Sequence, residues 1–469
     1  MKGWWMQWCR WVPALVCALA VGWTASDVNA QALPAPQKMS NGQFDDIQVY
    51  RPNGPVQQFV LLISGSETLT ASDRQLAQSM TAKGAMVAAV LLPPFYRKNI
   101  PLSKGCVYAA GTVENTARYV QAIEKVPTYI EPLLVGTGSA GSFVYALMAQ
   151  APADTFTGAL SVGYCPRLML DMPLCAANAL QWQATPGGID LAPVPKLASP
   201  WTVLDTGSAP AACAASPRGF VEHMPQANWV PRAAGEAGDI PAGFDAAYVK
   251  LAARRAALDL APTQLADIPV VEVPATGTGN ATRFAVLISG DGGWASIDKR
   301  LAASLAKSGI PVVGLDSLRY FWTARTPEGV ASDLNRVIRY YAARWKRPDV
   351  MLIGFSQGAD VMPFAVNRLP ANTRASVRLT ALLAPGKKAA FEFHVSNWIG
   401  ASGDKPIEPE ARKLSGATLC VYGVEERDSA LCPDIAANPG VKVIATPGGH
   451  HLGGDYDAVA AQIIGAASP

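Results

Sequence analysis

The chain has 469 residues, of which 50% are hydrophobic and 16% are charged, and its formal net charge is +3. This composition excludes an intrinsically disordered chain, and the small charge excess argues against a nucleic-acid-binding protein. At roughly 150 residues per domain, the length allows up to about three domains.

The first 30 residues have the layout of a secretory signal peptide. Lys2 and Arg10 precede an apolar run over residues 11–23, and small residues stand two apart at positions 28 and 30. This order predicts export with cleavage after Ala30, and therefore a periplasmic protein. The alternative is a retained N-terminal anchor, although the run is too short for a comfortable membrane span.

Six cysteines follow the predicted signal peptide, and an exported protein with an even number of cysteines is expected to form disulfides. Their spacing fits no zinc pattern, so we predict neither a metal nor a cofactor. The expected pairs are Cys420–Cys432, Cys165–Cys175 and Cys106–Cys213, and the sequence leaves other pairings open.

The most informative feature is an internal repeat. Residues 59–65 read FVLLISG and residues 284–290 read FAVLISG, each of which predicts a buried strand that ends in a turn. A helical segment follows each strand, with Asp73 and Asp298 where an N-cap is expected. Further strands and helices alternate along both halves, which predicts two α/β domains, each with a mostly parallel sheet flanked by helices.

The repeat sets the expected domain boundaries. The first domain is predicted over residues 40–230 and the second over residues 266–469. Between them, residues 231–265 begin with a stretch rich in glycine, proline and alanine and continue into a predicted helix over 245–260. We interpret this segment as a linker.

The second domain contains the pattern G-x-S-x-G over residues 354–358, with Ser356 at its centre. A predicted strand precedes the pattern and a predicted helix follows it, which is the context of a nucleophile elbow. In that motif the serine stands on a strained strand-to-helix turn, and glycines are needed where side chains would collide with neighbouring backbone. We therefore predict an α/β-hydrolase-like domain with Ser356 as its nucleophile.

The other members of a catalytic triad are expected in the order serine, acid, histidine along the chain. Two adjacent histidines, His450 and His451, follow the last predicted strand, and acidic residues follow the strand before it. We predict His450 as the base because it comes directly after a Gly-Gly turn, with His451 as the alternative. Glu426 is the first choice of acid, followed by Asp428 and then Glu425.

Two loops are predicted to complete the site. The oxyanion donors are expected to be the N–H of Gln357, directly after the nucleophile, and that of Asp291 or Gly292 in a glycine-rich turn. A second loop places arginines among aromatic residues at the sheet edge where ligands bind, and the alternative for this loop is simple packing of arginine on rings. The candidate substrate-binding residues are Trp294, Arg319, Tyr320, Trp322, Arg325 and Asp360.

The first domain lacks this set of catalytic residues. Ser139 lies in the sequence TGSAG, so Thr137 stands where the first elbow glycine is expected, and no histidine follows the last strand. A serine without a positioned base is a poor nucleophile. We therefore predict a degenerate copy whose role is binding, shaping the cleft or contacting a partner.

Four segments of the second domain are distinctive: 287–294, 318–322, 354–360 and 447–451. Through these segments the chain resembles the AcvB/VirJ family of periplasmic bacterial virulence proteins. The resemblance implies an α/β-hydrolase fold, a periplasmic location, a link to type IV secretion and hydrolysis of lysyl-phosphatidylglycerol at the membrane surface. Ser356 corresponds to the elbow serine of that family.

Two functional hypotheses follow. The first is a serine esterase that cleaves the aminoacyl ester of an aminoacylated phospholipid, with carboxylates such as Asp360 near the cationic aminoacyl group. The second is a non-catalytic binding or type IV secretion accessory protein on a hydrolase scaffold, because a fold alone does not determine function. The second domain retains the elbow, the oxyanion-type loop and the terminal histidine in order, which favours the enzyme.

Overall fold

The structure is a computed structural model that describes part of the chain and contains two large sheets. It describes residues 33–467 except 100–104, 171–173, 177–178, 208–212, 214–215, 237, 259–262 and 394–402. The predicted signal peptide therefore lies outside the described residues. Both sheets belong to one compact unit that begins at Leu33.

The N-terminal domain has an eight-stranded sheet in the order β1-β2-β4-β3-β5-β6-β10-β11, in which the strands from β4 to β11 run parallel. Its strands are β1 (Gln37–Met39), β2 (Ile47–Tyr50), β3 (Gln58–Ser64), β4 (Ala85–Leu91), β5 (Leu133–Thr137), β6 (Gly158–Val162), β10 (Trp201–Leu204) and β11 (Ala227–Val230). A small sheet contains β7 (Arg167–Leu168), β8 (Trp182–Thr185) and β9 (Gly188–Leu191). The helices are α1 (Ala71–Ala82), α2 (Leu92–Asn99), α3 (Ala109–Ile123), α4 (Ala140–Gln150), α5 (Pro217–Glu222) and α6 (Phe244–Leu258).

The C-terminal domain has a seven-stranded sheet in the order β12-β14-β13-β15-β16-β19-β20. Its strands are β12 (Val270–Val273), β13 (Arg283–Ile288), β14 (Val312–Leu315), β15 (Asp349–Phe355), β16 (Val377–Leu383), β19 (Thr418–Gly423) and β20 (Val441–Thr446), and a small hairpin contains β17 (Lys388–Ala389) and β18 (Lys405–Pro406). The helices are α7 (Ser296–Lys307), α8 (Ser317–Tyr320), α9 (Pro327–Trp345), α10 (Gln357–Asn367), α11 (Ala371–Arg374), α12 (Glu408–Ala411) and α13 (Tyr456–Ala466), and short 3-10 turns span Thr263–Leu265, Val424–Glu426, Cys432–Ile435 and Leu452–Gly454.

The two sheets confirm the predicted repeat. From β2 onwards the N-terminal strand order matches the C-terminal order strand for strand, and the first strand of each matched set is antiparallel to its neighbour. The central strands are buried, apart from the first residue of β13, because helices cover both faces, which explains their continuous apolar runs. The predicted α/β class with two mostly parallel sheets is therefore confirmed.

The helices α1 and α7 begin in the same way in both domains, but not as expected. Asp73 is the third residue of α1, where its carboxylate accepts a hydrogen bond from the N–H of Thr70, the actual N-cap. Asp298 takes the same position in α7 and accepts from the N–H of Ala295. The predicted N-cap role of both aspartates was wrong, because the chain turns into the helix three residues earlier.

The predicted linker helix is part of the N-terminal domain. It is α6, and its residues Phe244, Tyr248 and Leu251 are buried against the face of the sheet that α1 also covers. Ser79 of α1 donates a 2.8 Å hydrogen bond to the carboxylate of Asp245. The apolar face of this helix thus serves as a core layer.

The described residues contain three disulfides, each within one domain, and only one of the expected pairs was right. Cys420–Cys432 is confirmed, whereas the predicted pairs Cys165–Cys175 and Cys106–Cys213 were wrong. The structure joins Cys106 to Cys175 and Cys165 to Cys213. Val107 forms a bridge with Leu174, which brings the neighbouring Cys106 and Cys175 together although they are 69 residues apart. Folding, and not distance along the chain, decides this pairing.

Disulfides of this number are typical of proteins that fold outside the cytoplasm. Within the described part of the chain, no helix is both long enough and apolar enough to cross a membrane.

Candidate active site

The turn between β15 and α10 has the backbone of a nucleophile elbow. Ser356 has φ 51° and ψ −119°, a conformation that residues with a side chain rarely adopt. Its N–H donates a 2.9 Å hydrogen bond to the carbonyl of Leu383 on β16. A Cβ atom at Gly354 would collide with the backbone of Gly358, and one at Gly358 with the carbonyl of Ile288. The two glycines are therefore required for the sharp turn.

Three side chains meet above this turn. The Nε2 atom of His450 lies 2.9 Å from the Oγ atom of Ser356, and its Nδ1 atom lies 3.0 Å from the Oε2 atom of Glu426. An imidazole protonated on Nδ1 donates to the carboxylate and accepts the hydroxyl proton. This arrangement can withdraw a proton from the serine when the hydroxyl attacks a carbonyl carbon.

Parallel strands bring these residues to one edge of the sheet. Glu426 ends the short 3-10 turn after β19, and His450 follows β20 after a turn in which Gly448 has φ 83°. The N–H of Glu425 donates to the carbonyl of Gly448, which ties the two loops together. The backbone thus fixes the separation of acid and base.

The alternative candidates lie outside this contact. Asp428 and Glu425 have exposed side chains, and Glu426 is the acid that contacts the imidazole. His451 is exposed as well, and its carbonyl accepts a hydrogen bond from the hydroxyl of Tyr456. Among the residues proposed from the sequence, Ser356, His450 and Glu426 are the three that the fold brings together.

The predicted oxyanion donors flank the serine. Gln357 is the first residue of α10, so its N–H has no acceptor within the helix. On the other side, the N–H of Gly293 donates to the carbonyl of Gly290 and closes a tight turn. A Cβ atom at Gly290 would lie 3.3 Å from that of Ser356, so the peptide between Gly290 and Asp291 lies beside the nucleophile.

One carboxyl near the elbow is unusual. Asp360 lies one helical turn after Ser356 and accepts a 2.8 Å hydrogen bond from the N–H of Gly386. Burial raises the pKa of Asp360 to about 8, and the nearby charge of Asp291 also raises it. The group is therefore largely protonated at neutral pH, which argues against its predicted role as an anionic partner for a cationic substrate.

The aromatic loop predicted to bind substrate forms a contact between the domains. Trp322 is buried, stacks on Phe393 and donates from Nε1 to the carbonyl of Val126 in the N-terminal domain. Arg319 pairs with Glu131, also in the N-terminal domain. These contacts join the loop to the N-terminal domain, and Arg319 also lines the cavity between the domains. Substrate binding by Trp322 and Arg319 stays a prediction.

The remaining candidates of this loop pack internally. The hydroxyl of buried Tyr320 donates to the carboxylate of Asp333 over 2.7 Å. The guanidinium of Arg325 lies 4.6 Å from the centre of the Tyr320 ring, as in the packing alternative. Trp294 packs its ring on Gly314, where a side chain would collide with it, and faces a cavity between the domains. All three residues make packing contacts, and their predicted role in substrate binding stays a prediction.

The N-terminal domain has an elbow at the same place, but its central residue is a glycine. Strand pairing places Gly136 opposite Ile63, as Gly354 lies opposite Ile288. Two residues later, Gly138 has φ 59° and donates from its N–H to the carbonyl of Val162, as Ser356 does to Leu383.

The expected equivalence of Ser139 with the elbow serine was therefore wrong by one residue. Ser139 corresponds to Gln357 and begins the helix, where its hydroxyl lies 3.3 Å from the carbonyl oxygen of Gly65. The glycine that follows Thr137, and not Thr137 itself, marks the difference from the C-terminal pattern. The N-terminal turn keeps the backbone of an elbow without a nucleophile.

A parallel sheet with this strand order, and a serine elbow after its central strand, defines the α/β-hydrolase class. Within that class, residues 282–468 match the model of a family described as Bacterial virulence protein (VirJ). The resemblance to the AcvB/VirJ family is thereby confirmed for the C-terminal domain. No curated protein matches the chain.

Solved structures with a similar fold include Est1E from Butyrivibrio proteoclasticus with bound ferulic acid, at 15% identity and a TM-score of 0.33, over 42% of this chain and 93% of that one. A proline iminopeptidase of Mycobacterium smegmatis matches at 13% identity and a TM-score of 0.32, over 42% and 94% of the two chains. An esterase (EaEST) from Exiguobacterium antarcticum matches at 13% identity and a TM-score of 0.31, over 43% and 95%.

One residue close to the site carries no signal in the sequence. Arg118 belongs to α3 of the N-terminal domain and donates a 3.0 Å hydrogen bond to the carbonyl of Gly292 in the oxyanion-type turn. The two residues are 174 positions apart. Neither periodicity nor a local motif connects such positions, so only the folded chain reveals the contact.

Proposed function

We propose that this protein is a periplasmic serine esterase that cleaves the aminoacyl ester of lysyl-phosphatidylglycerol. The observation that carries the proposal is the hydrogen-bonded series from Ser356 through His450 to Glu426 on a strained elbow. Such a series supplies a nucleophile, a base and a group that orients the base.

The reaction takes two steps in this proposal. The Oγ atom of Ser356 attacks the ester carbonyl while His450 accepts its proton, and the N–H groups of Gln357 and Asp291 stabilise the oxyanion. His450 then gives the proton to the departing glycerol hydroxyl, which leaves an aminoacyl-enzyme. Water, activated by His450, releases the free amino acid and restores the serine.

The substrate class rests on the family resemblance and on charge near the serine. A lysyl group carries positive charge, and the acidic side chains of Asp291 and Glu425 lie next to the turns that flank the catalytic series. Asp360 is not expected to contribute to this attraction at neutral pH, because its raised pKa of about 8 keeps it largely protonated. The lipid is expected at the membrane surface on the periplasmic side.

The proposed location is the periplasm, with residues 1–30 removed as a signal peptide. Three disulfides support an oxidising compartment. The family description extends the proposal to bacterial virulence, and the resemblance extends it to type IV secretion. Components or substrates of that secretion system are the proposed protein partners.

The test uses the purified mature protein and its Ser356→Ala variant. Each is incubated with lysyl-phosphatidylglycerol in mixed micelles, and free lysine and phosphatidylglycerol are quantified. Release by the wild type and none by the variant is the expected result. If neither protein releases lysine, labelling of Ser356 by a fluorophosphonate would indicate an esterase with another substrate. No labelling would contradict the enzyme and favour the non-catalytic accessory protein.

A further inference from the structure

A buried arginine of the N-terminal domain reaches the oxyanion-type turn of the C-terminal domain. Arg118 is 5% exposed, and its Nη2 atom donates to the carbonyl oxygen of Gly292 over 3.0 Å. Hydrogen bonds from a charged donor are about twice as strong as neutral ones, more so away from water. The contact therefore links the degenerate domain to the turn beside Ser356.

The arginine is held in position from its own domain. Glu114, one helical turn earlier in α3, forms a 2.5 Å ion pair with it. The guanidinium also lies 5.7 Å from the centre of the ring of Tyr129. Because both partners belong to the N-terminal domain, that domain presents the cation in a fixed orientation.

Hydrogen-bonded peptide groups of the turn connect the Arg118 contact to the N–H of Asp291. The carbonyl that accepts from Arg118 belongs to the peptide between Gly292 and Gly293, and the N–H of that peptide donates to the carbonyl of Gly290 over 3.0 Å. The Gly290 carbonyl belongs to the next peptide in this series, whose N–H is that of Asp291. Each hydrogen bond in such a series polarises the one that follows.

We propose that Arg118 is a positioning residue for the esterase reaction, acting through the turn of residues 290–293 on the N–H of Asp291. This inference rests on the proposed function and assigns a role to the N-terminal domain. The charge at one end of the series orients the turn and strengthens the donor at the other end. Negative charge develops on the carbonyl oxygen during attack, so the effect is largest in the transition state.

The position of Arg118 also makes a chemical rescue feasible. A cavity of about 550 Å³ lies between the domains and is lined by Arg118, Gly292 and Lys299, among others. An Arg118→Ala variant would enlarge this cavity next to the Gly292 carbonyl. A small cation such as guanidinium can then replace the missing group at the same acceptor.

Lys299 provides a matched control. It lies in the same cavity and also joins the two domains, because its Nζ atom donates to the carbonyl of Ala153 and to the carboxylate of Asp154. It makes no hydrogen bond to the turn of residues 290–293. A Lys299→Met variant therefore removes a contact between the domains without removing the proposed positioning contact.

The experiment measures ester hydrolysis and backbone hydrogen exchange in the full chain for the wild type, Arg118→Ala and Lys299→Met. We expect Arg118→Ala to lower kcat about tenfold with KM nearly unchanged, as for the loss of part of an oxyanion interaction. Millimolar guanidinium should restore several-fold activity in this variant alone. Exchange of the peptide that contains residues 290–294 should increase in Arg118→Ala and stay unchanged in Lys299→Met.

Each outcome decides the inference. Equal kcat values and equal exchange in the two variants would overturn it. A loss of kcat in Arg118→Ala would also overturn it if guanidinium did not restore activity or if exchange at the turn did not increase. If the wild type shows neither hydrolysis nor fluorophosphonate labelling, the proposed function fails. The exchange data would then show separately whether Arg118 orders the turn, and unchanged exchange would overturn that part as well.

Discussion

The two domains share one strand order but differ at the turn after their central strand. In the C-terminal domain a serine occupies the left-handed position, with φ 51°, and His450 lies within hydrogen-bonding distance. In the N-terminal domain Gly138 occupies that position with φ 59°. The N-terminal domain therefore has the backbone of an elbow without a nucleophile at its turn.

The difference also concerns strain. A residue with a side chain in such a conformation costs about 1–3 kcal/mol, whereas a glycine adopts it freely. Ser356 therefore holds strain that Gly138 does not. Strain is retained where the proposed chemistry needs an exposed hydroxyl, and it is absent where no base faces the turn.

The largest expected effect separates the two elbows directly. Ser356→Ala should lower ester hydrolysis by about 10⁶-fold, because it removes the nucleophile. The rate of ester hydrolysis by Ser139→Ala should stay within about twofold of the wild-type rate, since Ser139 corresponds to Gln357 and not to Ser356. Steady-state hydrolysis of one ester by both variants measures this. A comparable loss in Ser139→Ala would reveal a second active site and break the comparison.

The second prediction concerns the acid. Glu426→Gln should lower kcat by about 10⁴-fold, because the amide no longer holds the imidazole in the required tautomer. The kcat values of Asp428→Asn and Glu425→Gln should each stay within about threefold of the wild-type value, since neither side chain contacts His450. The kcat values of the three isosteric variants can be compared in one assay. A larger loss in Asp428→Asn than in Glu426→Gln would assign the acid differently.

Much of the fold and of the catalytic series could be predicted from the sequence. Buried parallel strands give continuous apolar runs, and the carboxyl ends of such strands meet at one sheet edge, so the order of Ser356, Glu426 and His450 implied that they would meet. The glycines of the elbow were informative because a turn this sharp excludes side chains at two fixed positions. These features depend on local backbone geometry, so a short stretch of sequence is enough to predict them.

The features that could not be predicted from the sequence have a common physical cause. Trp322 and Arg319 follow a strand at the ligand-binding edge, yet their partners Val126 and Glu131 come from the other domain. The pairing of Cys106 with Cys175 likewise depends on a long-range contact. In the N-terminal elbow, the assignment of Ser139 followed the residue type, whereas the register is set by strand pairing and the sign of φ.

The third prediction compares disulfides. Cys420 lies on β19 and its partner Cys432, 12 positions further along the chain, follows the loop of Glu426. Replacing both by alanine should lower the free energy of unfolding by about 3 kcal/mol. It should also lower kcat several-fold, because the loop that holds the acid gains freedom.

The matched control replaces Cys165 and Cys213, which are joined in the N-terminal domain. This variant should lose stability while kcat stays unchanged, because the bond lies away from the catalytic loops. Denaturant unfolding and steady-state kinetics on both double variants provide the measurement. An equal loss of kcat in the two would indicate that disulfides act only through global stability.

The smallest expected effect concerns the paired aspartates Asp73 and Asp298. The carboxylate of Asp73 accepts hydrogen bonds from Ser64, Thr70 and Thr137. At the position of Thr137 the C-terminal domain has Phe355, and the Oδ1 atom of Asp298 is buried without a hydrogen bond. Burial raises the pKa of Asp298 to about 7.

The folded protein therefore binds this proton more tightly than the unfolded chain, whose aspartates titrate near pH 4. The free energy of unfolding must fall as the pH rises from about 4 to about 7, and the loss is complete above that range. Asp298→Asn removes this titration and still accepts from the N–H of Ala295, so it should be more stable than the wild type at pH 9 by on the order of 2 kcal/mol. Asp73→Asn should be less stable at every pH, because the amide cannot accept all three hydrogen bonds. Urea unfolding at pH 5 and pH 9 distinguishes the two, and an Asp298→Asn variant with the pH dependence of the wild type would show that Asp298 does not cause that dependence.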